Sequence, residues 1–147
     1  MIQRIQSLFL LLAAASAFCL FAVPFGTTAS PVADNILYQD AEYNILDSPA
    51  LLGLFCVAGS LAFISIFLFR NRKIQILLGR FAIIANIIGF VLVLIFYFNN
   101  AEGLAVGEDQ ENIIGFSLPI AFLVFAFLAL HYISKDNKLV QSMDRLR

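Results

Sequence analysis

The sequence predicts an all-α membrane protein, a four-helix transmembrane bundle running up-down-up-down with both termini cytoplasmic. Three observations carry this. Of the 147 residues, 61% are hydrophobic and only 13% are charged, against about 25% charged in an average soluble domain. The mean hydropathy is +0.91, and the apolar residues gather in four long runs. The few charges are sorted by sign between the connections. Too little charge is present to cover a soluble surface, so soluble enzymes, disordered regulators and nucleic-acid-binding modules are excluded as first readings.

The runs cover about residues 5–25, 50–69, 81–98 and 113–133, with Ile74 as the alternative start of the third, and none of them within these bounds holds Asp, Glu, Lys or Arg. A hydrocarbon core of about 30 Å takes about 20 helical residues to cross. Backbone in lipid must satisfy its own polar groups, which leaves helices or a closed barrel. The runs lack the polar–apolar alternation of barrel strands. The whole chain, 1–147, therefore reads as one membrane domain.

The first run follows Arg4 and precedes the small residues Thr27-Thr28-Ala29, which a signal peptide would also show. Its length exceeds the 7–15 residues of a signal-peptide core, so a retained span is expected. Phe18 is too large to precede a lipoprotein cysteine at Cys19. Cys19 and Cys56 lie at equal depth, about 9 Å from the outer boundary. Both are expected to be small buried apolar residues, a disulfide being the alternative if their Cα atoms approach within about 7 Å.

The first outer connection, about 26–49, holds Ile36-Leu37-Tyr38 and Tyr43-Asn44-Ile45-Leu46 around the polar Gln39-Asp40-Ala41-Glu42. This pattern predicts a small β-hairpin over the end of the bundle. An inner loop of about 70–80 follows the second span and carries Arg70, Arg72, Lys73 and Arg80. In the third span Asn86 shares a helical face with Gly79, Ala82 and Gly89. Small residues let helices approach, and an amide can hydrogen-bond across the contact. These four are the helix-packing candidates, with Ser65 as a partner for Asn86, and Asn86→Leu is expected to loosen the bundle. A ligand for a solute or ion is the alternative role for Asn86.

The second outer connection, about 99–112, has Gly103, Gly107 and four carboxylates and reads as a flexible acidic loop. Pro119 in the fourth span cannot donate to the carbonyl of Gly115, so a kink is expected; otherwise the helix starts near Ser117. His131 reads as a boundary residue beside Tyr132. The tail, 134–147, places Leu139, Val140, Met143 and Leu146 on one face among Lys135, Lys138, Arg145 and Arg147. It suits the inner headgroup layer, an extension of the fourth helix, or a cytoplasmic partner.

Orientation follows from the basic residues. All nine lie at the amino terminus, in the inner loop or in the tail, with two acidic residues. The two outer connections hold eight acidic residues and no basic one. The inner basic residues Arg70, Arg72, Lys73, Arg80, Lys135, Lys138, Arg145 and Arg147 are the candidates for contact with lipid headgroups or a partner.

No GxSxG, Walker-type glycine loop or HExxH occurs, and a lone histidine with two separated cysteines gives no zinc spacing. No catalytic, cofactor-binding or metal-ligating residue is expected, and no cofactor. Met1-Ile2-Gln3-Arg4-Ile5-Gln6 with Leu10-Leu11-Leu12-Ala13-Ala14, and the ending Lys135-Asp136-Asn137-Lys138-Leu139-Val140 through Ser142-Met143-Asp144-Arg145-Leu146-Arg147, resemble an uncharacterised bacterial four-span inner-membrane family, a domain of unknown function. The resemblance covers the whole chain. It implies a bacterial inner membrane and carries no activity or site residues.

The expected role is a non-enzymatic subunit or scaffold of an envelope complex. Its partners would be the lipid bilayer and membrane or envelope proteins or a second copy, with no nucleic acid. The alternative is a small-solute or lipid transporter or channel, although ion-coupled carriers usually place ionisable residues within their spans. A membrane enzyme acting on lipid or quinone has no motif behind it.

Overall fold

The computed structural model describes residues 2–28, 39–101 and 109–144. Four helices, α1 (Ile2–Cys19), α2 (Pro49–Phe67), α3 (Arg72–Ala101) and α4 (Ile113–Asp144), form a bundle. Each packs on two neighbours: α1 on α2 and α4, and α3 on α2 and α4. By length and composition α2, α3 and α4 are each able to cross a membrane. The apolar part of α1, Ile5–Cys19, is shorter.

Helix ends depart from the apolar runs. The first run stays apolar to Phe25, yet α1 stops at Cys19. Phe21 N–H and Ala22 N–H then close turns on the Phe18 and Cys19 carbonyls at 3.2 and 3.0 Å. Pro24, five residues past Cys19, lacks the N–H that a continuing helix needs. At the inner end α3 begins at Arg72, close to the alternative start at Ile74 and not near 81, so the expected 70–80 loop is only a turn over 68–71. Asn71 N–H donates to Leu68 O at 2.9 Å, and Gln75 N–H donates to Asn71 O at 3.0 Å. The first stretch of α3, from Arg72 to Arg80, is about two and a half turns, and helix formation there needs no unbroken apolar run.

Likewise α4 extends past 133 and takes in the described part of the tail. Its start is fixed by Asn112, whose Oδ1 accepts from Ile114 N–H at 3.1 Å. The helix is continuous through Pro119, so a start near Ser117 is excluded.

The outer connections form a three-stranded sheet. Its central strand is β1 (Gly26–Thr28), flanked by β2 (Glu42–Tyr43) and β3 (Asp109–Glu111). Both pairings are antiparallel, with Gly26 opposite Tyr43 on one side and Glu111 on the other. A hairpin in the first connection is thus present, but with different strands. Its first strand is Gly26–Thr28, and Ile36–Tyr38 lies outside the described residues. Of the second expected strand only Tyr43 pairs. Asn44 instead caps a 3-10 turn, Ile45–Asp47: its side chain accepts from Leu46 N–H at 2.8 Å, while Asp47 accepts from Asn44 N–H at 2.7 Å. Such reciprocal capping satisfies two backbone donors at once. The second connection, read as a loop, contributes β3; Gly103 and Gly107 lie outside the described residues.

Residue size is inverted relative to a soluble bundle. On α3, Gln75, Gly79, Ala82, Asn86, Gly89, Val93 and Tyr97 face inward. Phe81, Ile84, Ile88, Val91, Ile95 and Phe98 face outward and are exposed. Small residues bring the helices together and bulky apolar ones face the surroundings, as expected where lipid is the solvent. Three layers stack along the bundle. The outer layer is aromatic, built on Phe25, Tyr43, Phe55 and Tyr97. The middle layer is alanine-rich, with Ala13, Ala14, Ala17, Ala58, Ala62, Ala82 and Ala126. The inner layer holds Leu10, Ala129 and Ile133.

Candidate functional site

Two ends of opposite charge and one buried amide stand out. In the middle layer the four packing candidates share the inward face of α3. A Cβ on Gly79 would come within 2.6 Å of Leu130 Cδ2 on α4, and one on Gly89 within 3.2 Å of Phe55 Cζ on α2. Ala82 is buried between these two positions. Asn86 is fully buried, and neither Nδ2 nor Oδ1 has a hydrogen-bond partner among the described residues. Ser65 is not its partner: Ser65 Oγ donates to Leu61 O at 2.7 Å. The Ser65 carbonyl accepts from Gln75 Nε2 at 3.0 Å. The depth match of Ser65 with Asn86 assumed a third helix starting near 81, and it is lost because α3 starts at Arg72.

At the outer end the loops drive aromatic side chains into the bundle. Tyr43 is fully buried, its ring 5.3 Å from that of Phe25. Phe25 in turn meets Phe116 at 5.6 Å and Phe55 at 6.4 Å. Gly115 makes this closure possible, since a Cβ there would collide with the Pro24 carbonyl oxygen and sit 2.9 Å from Phe25 Cα. Among the described carboxylates at this end, burial pushes that of Asp47 above the usual aspartate range. The negative Asp40 and Glu42 add to the rise, and the Asn44 N–H opposes it.

At the inner end the basic candidates separate into distinct roles. Arg72 Nη2 pairs with Asp136 Oδ2 at 3.0 Å, joining the start of α3 to α4. Arg70, Lys73, Lys135 and Lys138 are exposed. Arg80 lies with His131 and Ser134 at one end of a groove of about 730 Å3 between α3 and α4. Arg145 and Arg147 lie outside the described residues.

Sequence reasoning missed the glutamines. Gln6 Nε2 donates to Tyr132 O at 3.2 Å, and Phe9 stacks on the Tyr132 ring at 5.7 Å, which ties the start of α1 to the end of α4. A glutamine near the inner end of both α1 and α3 was the available signal. Cys19 is exposed at the end of α1 and Cys56 half-buried, and both are free thiols. The expected burial fails for Cys19 because α1 ends there on its outward face. Among the described residues no three His, Cys, Asp or Glu side chains gather to hold a metal.

No curated protein and no solved structure matches the chain. A family model does, from residue 2 to residue 146. With its long apolar helices and its bundle of small inward residues, the chain belongs to the family described as Domain of unknown function (DUF4293).

Proposed function

We propose that the protein is a four-span bacterial inner-membrane protein with both termini in the cytoplasm, acting as a non-enzymatic subunit or scaffold of an envelope complex. The observation that carries the scaffold reading is the outer cap. Strands from both outer connections join in one sheet, and Tyr43 and Phe25 lock it onto the bundle. An ordered cap presents a fixed surface, here bearing the exposed Asp40, Glu42 and Leu46.

Two further observations support four spans. Gln6 of α1 meets α4 at its inner end, while Leu20 and Phe25 join the outer aromatic layer. The first segment therefore reaches from the inner end of the bundle to the outer aromatic layer. The separation of basic and acidic ends supports cytoplasmic termini.

Orientation is tested with single cysteines in a background lacking Cys19 and Cys56, using a membrane-impermeant thiol reagent on intact spheroplasts. Asp40→Cys is expected to label and Ser142→Cys to label only after lysis; the reverse pattern overturns the orientation. The role is tested by a photo-crosslinker at Leu46 at native expression, with Ile88 on the outward face of α3 as control. A recurrent envelope protein captured at Leu46 and absent at Ile88 supports the scaffold. No adduct at either position overturns it.

A further inference from the structure

The basic end and the apolar groove between α3 and α4 have a chemistry in common. Because the two helices run in opposite directions, both place their polar lining residues in the inner half of the groove, with purely apolar lining one turn deeper. On α3, Arg80 lies between Ile76, one turn toward the inner end, and Ile83 and Ile84, one turn deeper; on α4, Leu130, His131 and Ser134 follow Phe127 and Leu128. One turn is about 5 Å. The groove therefore holds all its hydrogen-bond donors in its inner half, beside Ile76 and Leu130, and only hydrocarbon deeper, and its donor-bearing half lies toward the exposed Lys73 and Lys135.

The volume, about 730 Å3, falls within the range of small-molecule sites, about 300–1,000 Å3. Its charge is unbalanced. Asp136, the one described acidic side chain near this end, is paired with Arg72. Arg80 has no ion-pair partner among the described residues. A guanidinium fork, an imidazole N–H and the Ser134 hydroxyl, all lining one groove, are donors of the kind a phosphate accepts. Basic pockets between transmembrane helices on the cytoplasmic side are a recognised setting for anionic headgroups.

We propose that this groove is a binding site for one anionic phospholipid of the inner leaflet. Its phosphate is held by Arg80, His131 and Ser134, and one acyl chain lies on Ile83, Ile84, Phe127 and Leu128. The assignment rests on α3 and α4 spanning the membrane with their basic end inward. It differs from general attraction to the leaflet in depending on Arg80 far more than on Lys138, a basic residue at the same end that lies outside the groove.

The test uses the full chain, purified in detergent, stripped of lipid and examined by native mass spectrometry with added phosphatidylglycerol, phosphatidylcholine or inorganic phosphate. One phosphatidylglycerol is expected to be retained. Arg80→Gln is expected to weaken retention by about tenfold or more, the scale of one lost charge-assisted contact. Leu128→Trp, which fills the apolar half, is expected to weaken it similarly, while Lys138→Gln stays within about twofold, as a screened surface charge should.

Equal losses for Arg80→Gln and Lys138→Gln overturn the site in favour of general electrostatics. Equal retention of phosphatidylcholine overturns the choice of an anionic lipid. Protection by inorganic phosphate alone, unaffected by Leu128→Trp, overturns the lipid and leaves a phosphate site. Flotation with lipid vesicles after reconstitution separates these outcomes from failure of the membrane reading: a chain that does not float refutes spanning itself.

Discussion

The Tyr43 hydroxyl donates to the carbonyl of Val93 at 3.1 Å, so a residue of the first outer connection is bonded to the backbone of α3 fifty positions away. The bond lies within the aromatic layer, where both partners are fully buried. A buried hydroxyl without an acceptor is costly, and Val93 O supplies one. Tyr43→Phe keeps the ring and removes the bond, and is expected to lower stability by about 0.5–1.5 kcal/mol. Tyr43→Ala also empties the layer and is expected to cost about 3–5 kcal/mol. Unfolding in mixed micelles checks both; equal losses would show that the ring contributes nothing.

Two glycines give opposite expectations. At Gly115 an added methyl meets Pro24 and Phe25 backbone, which cannot yield as a side chain can. Gly115→Ala is expected to destabilise by about 1–3 kcal/mol, the range for overpacking. At Gly53, exposed on α2, a Cβ meets nothing within 4 Å. Gly53→Ala is expected to stabilise by about 0.5–1 kcal/mol through helix propensity. The same micelle unfolding, run side by side, reads the difference in sign.

The unpaired amide of Asn86 sets a third expectation. A buried polar group without a partner costs about 1–3 kcal/mol, so Asn86→Ala is expected to leave the bundle at least as stable as the parent. Asn86→Leu is still expected to loosen it, but because a larger side chain enters an alanine-lined layer, at about 1–3 kcal/mol. Thermal unfolding in detergent that shows Asn86→Ala falling as far as Asn86→Leu would sink this account.

Asp47 makes the outer cap sensitive to pH. Burial raises its carboxyl above the usual range, so the folded cap binds the proton more tightly than the unfolded chain does. Its contribution favours the fold below the ordinary aspartate value, about 3.9. That contribution is lost as pH rises through the raised value. Asp47→Asn, whose side-chain oxygen can still accept from Asn44 N–H, is expected to protect the cap relative to the parent at pH 7. The advantage should vanish by about pH 3.5, below the aspartate range. Hydrogen exchange of the amides in 39–48 follows the effect.

The helices were legible because each apolar run of about span length leaves the chain no other way to satisfy its backbone. Their ends were not. Arg72, Lys73 and Arg80 read as loop because charge is excluded from hydrocarbon, but that exclusion says nothing about helix outside it. Conversely, Leu20 to Phe25 read as span because they are apolar, yet they turn back under the cap. The sheet was half legible: Tyr43 carries β-forming character, whereas Gly26-Thr27-Thr28 and Asp109-Gln110-Glu111 have no apolar alternation and pair only through contacts distant in sequence. The small inward residues of α3 were visible as a spacing. That Asn86 would find no partner depends on the depth of α2 relative to α3, which no spacing within one helix encodes.

The central position of β1 carries a consequence for biogenesis. The strand emerges from the ribosome first, and β2 completes one of its edges from within the same connection. The other edge waits for β3, which is synthesised only after α2 and α3. Until then β1 presents unpaired backbone, a template for wrong pairing. One edge of the cap can close as soon as β2 is made, whereas the other must await β3, so the cap is complete only after α2 and α3 have been synthesised.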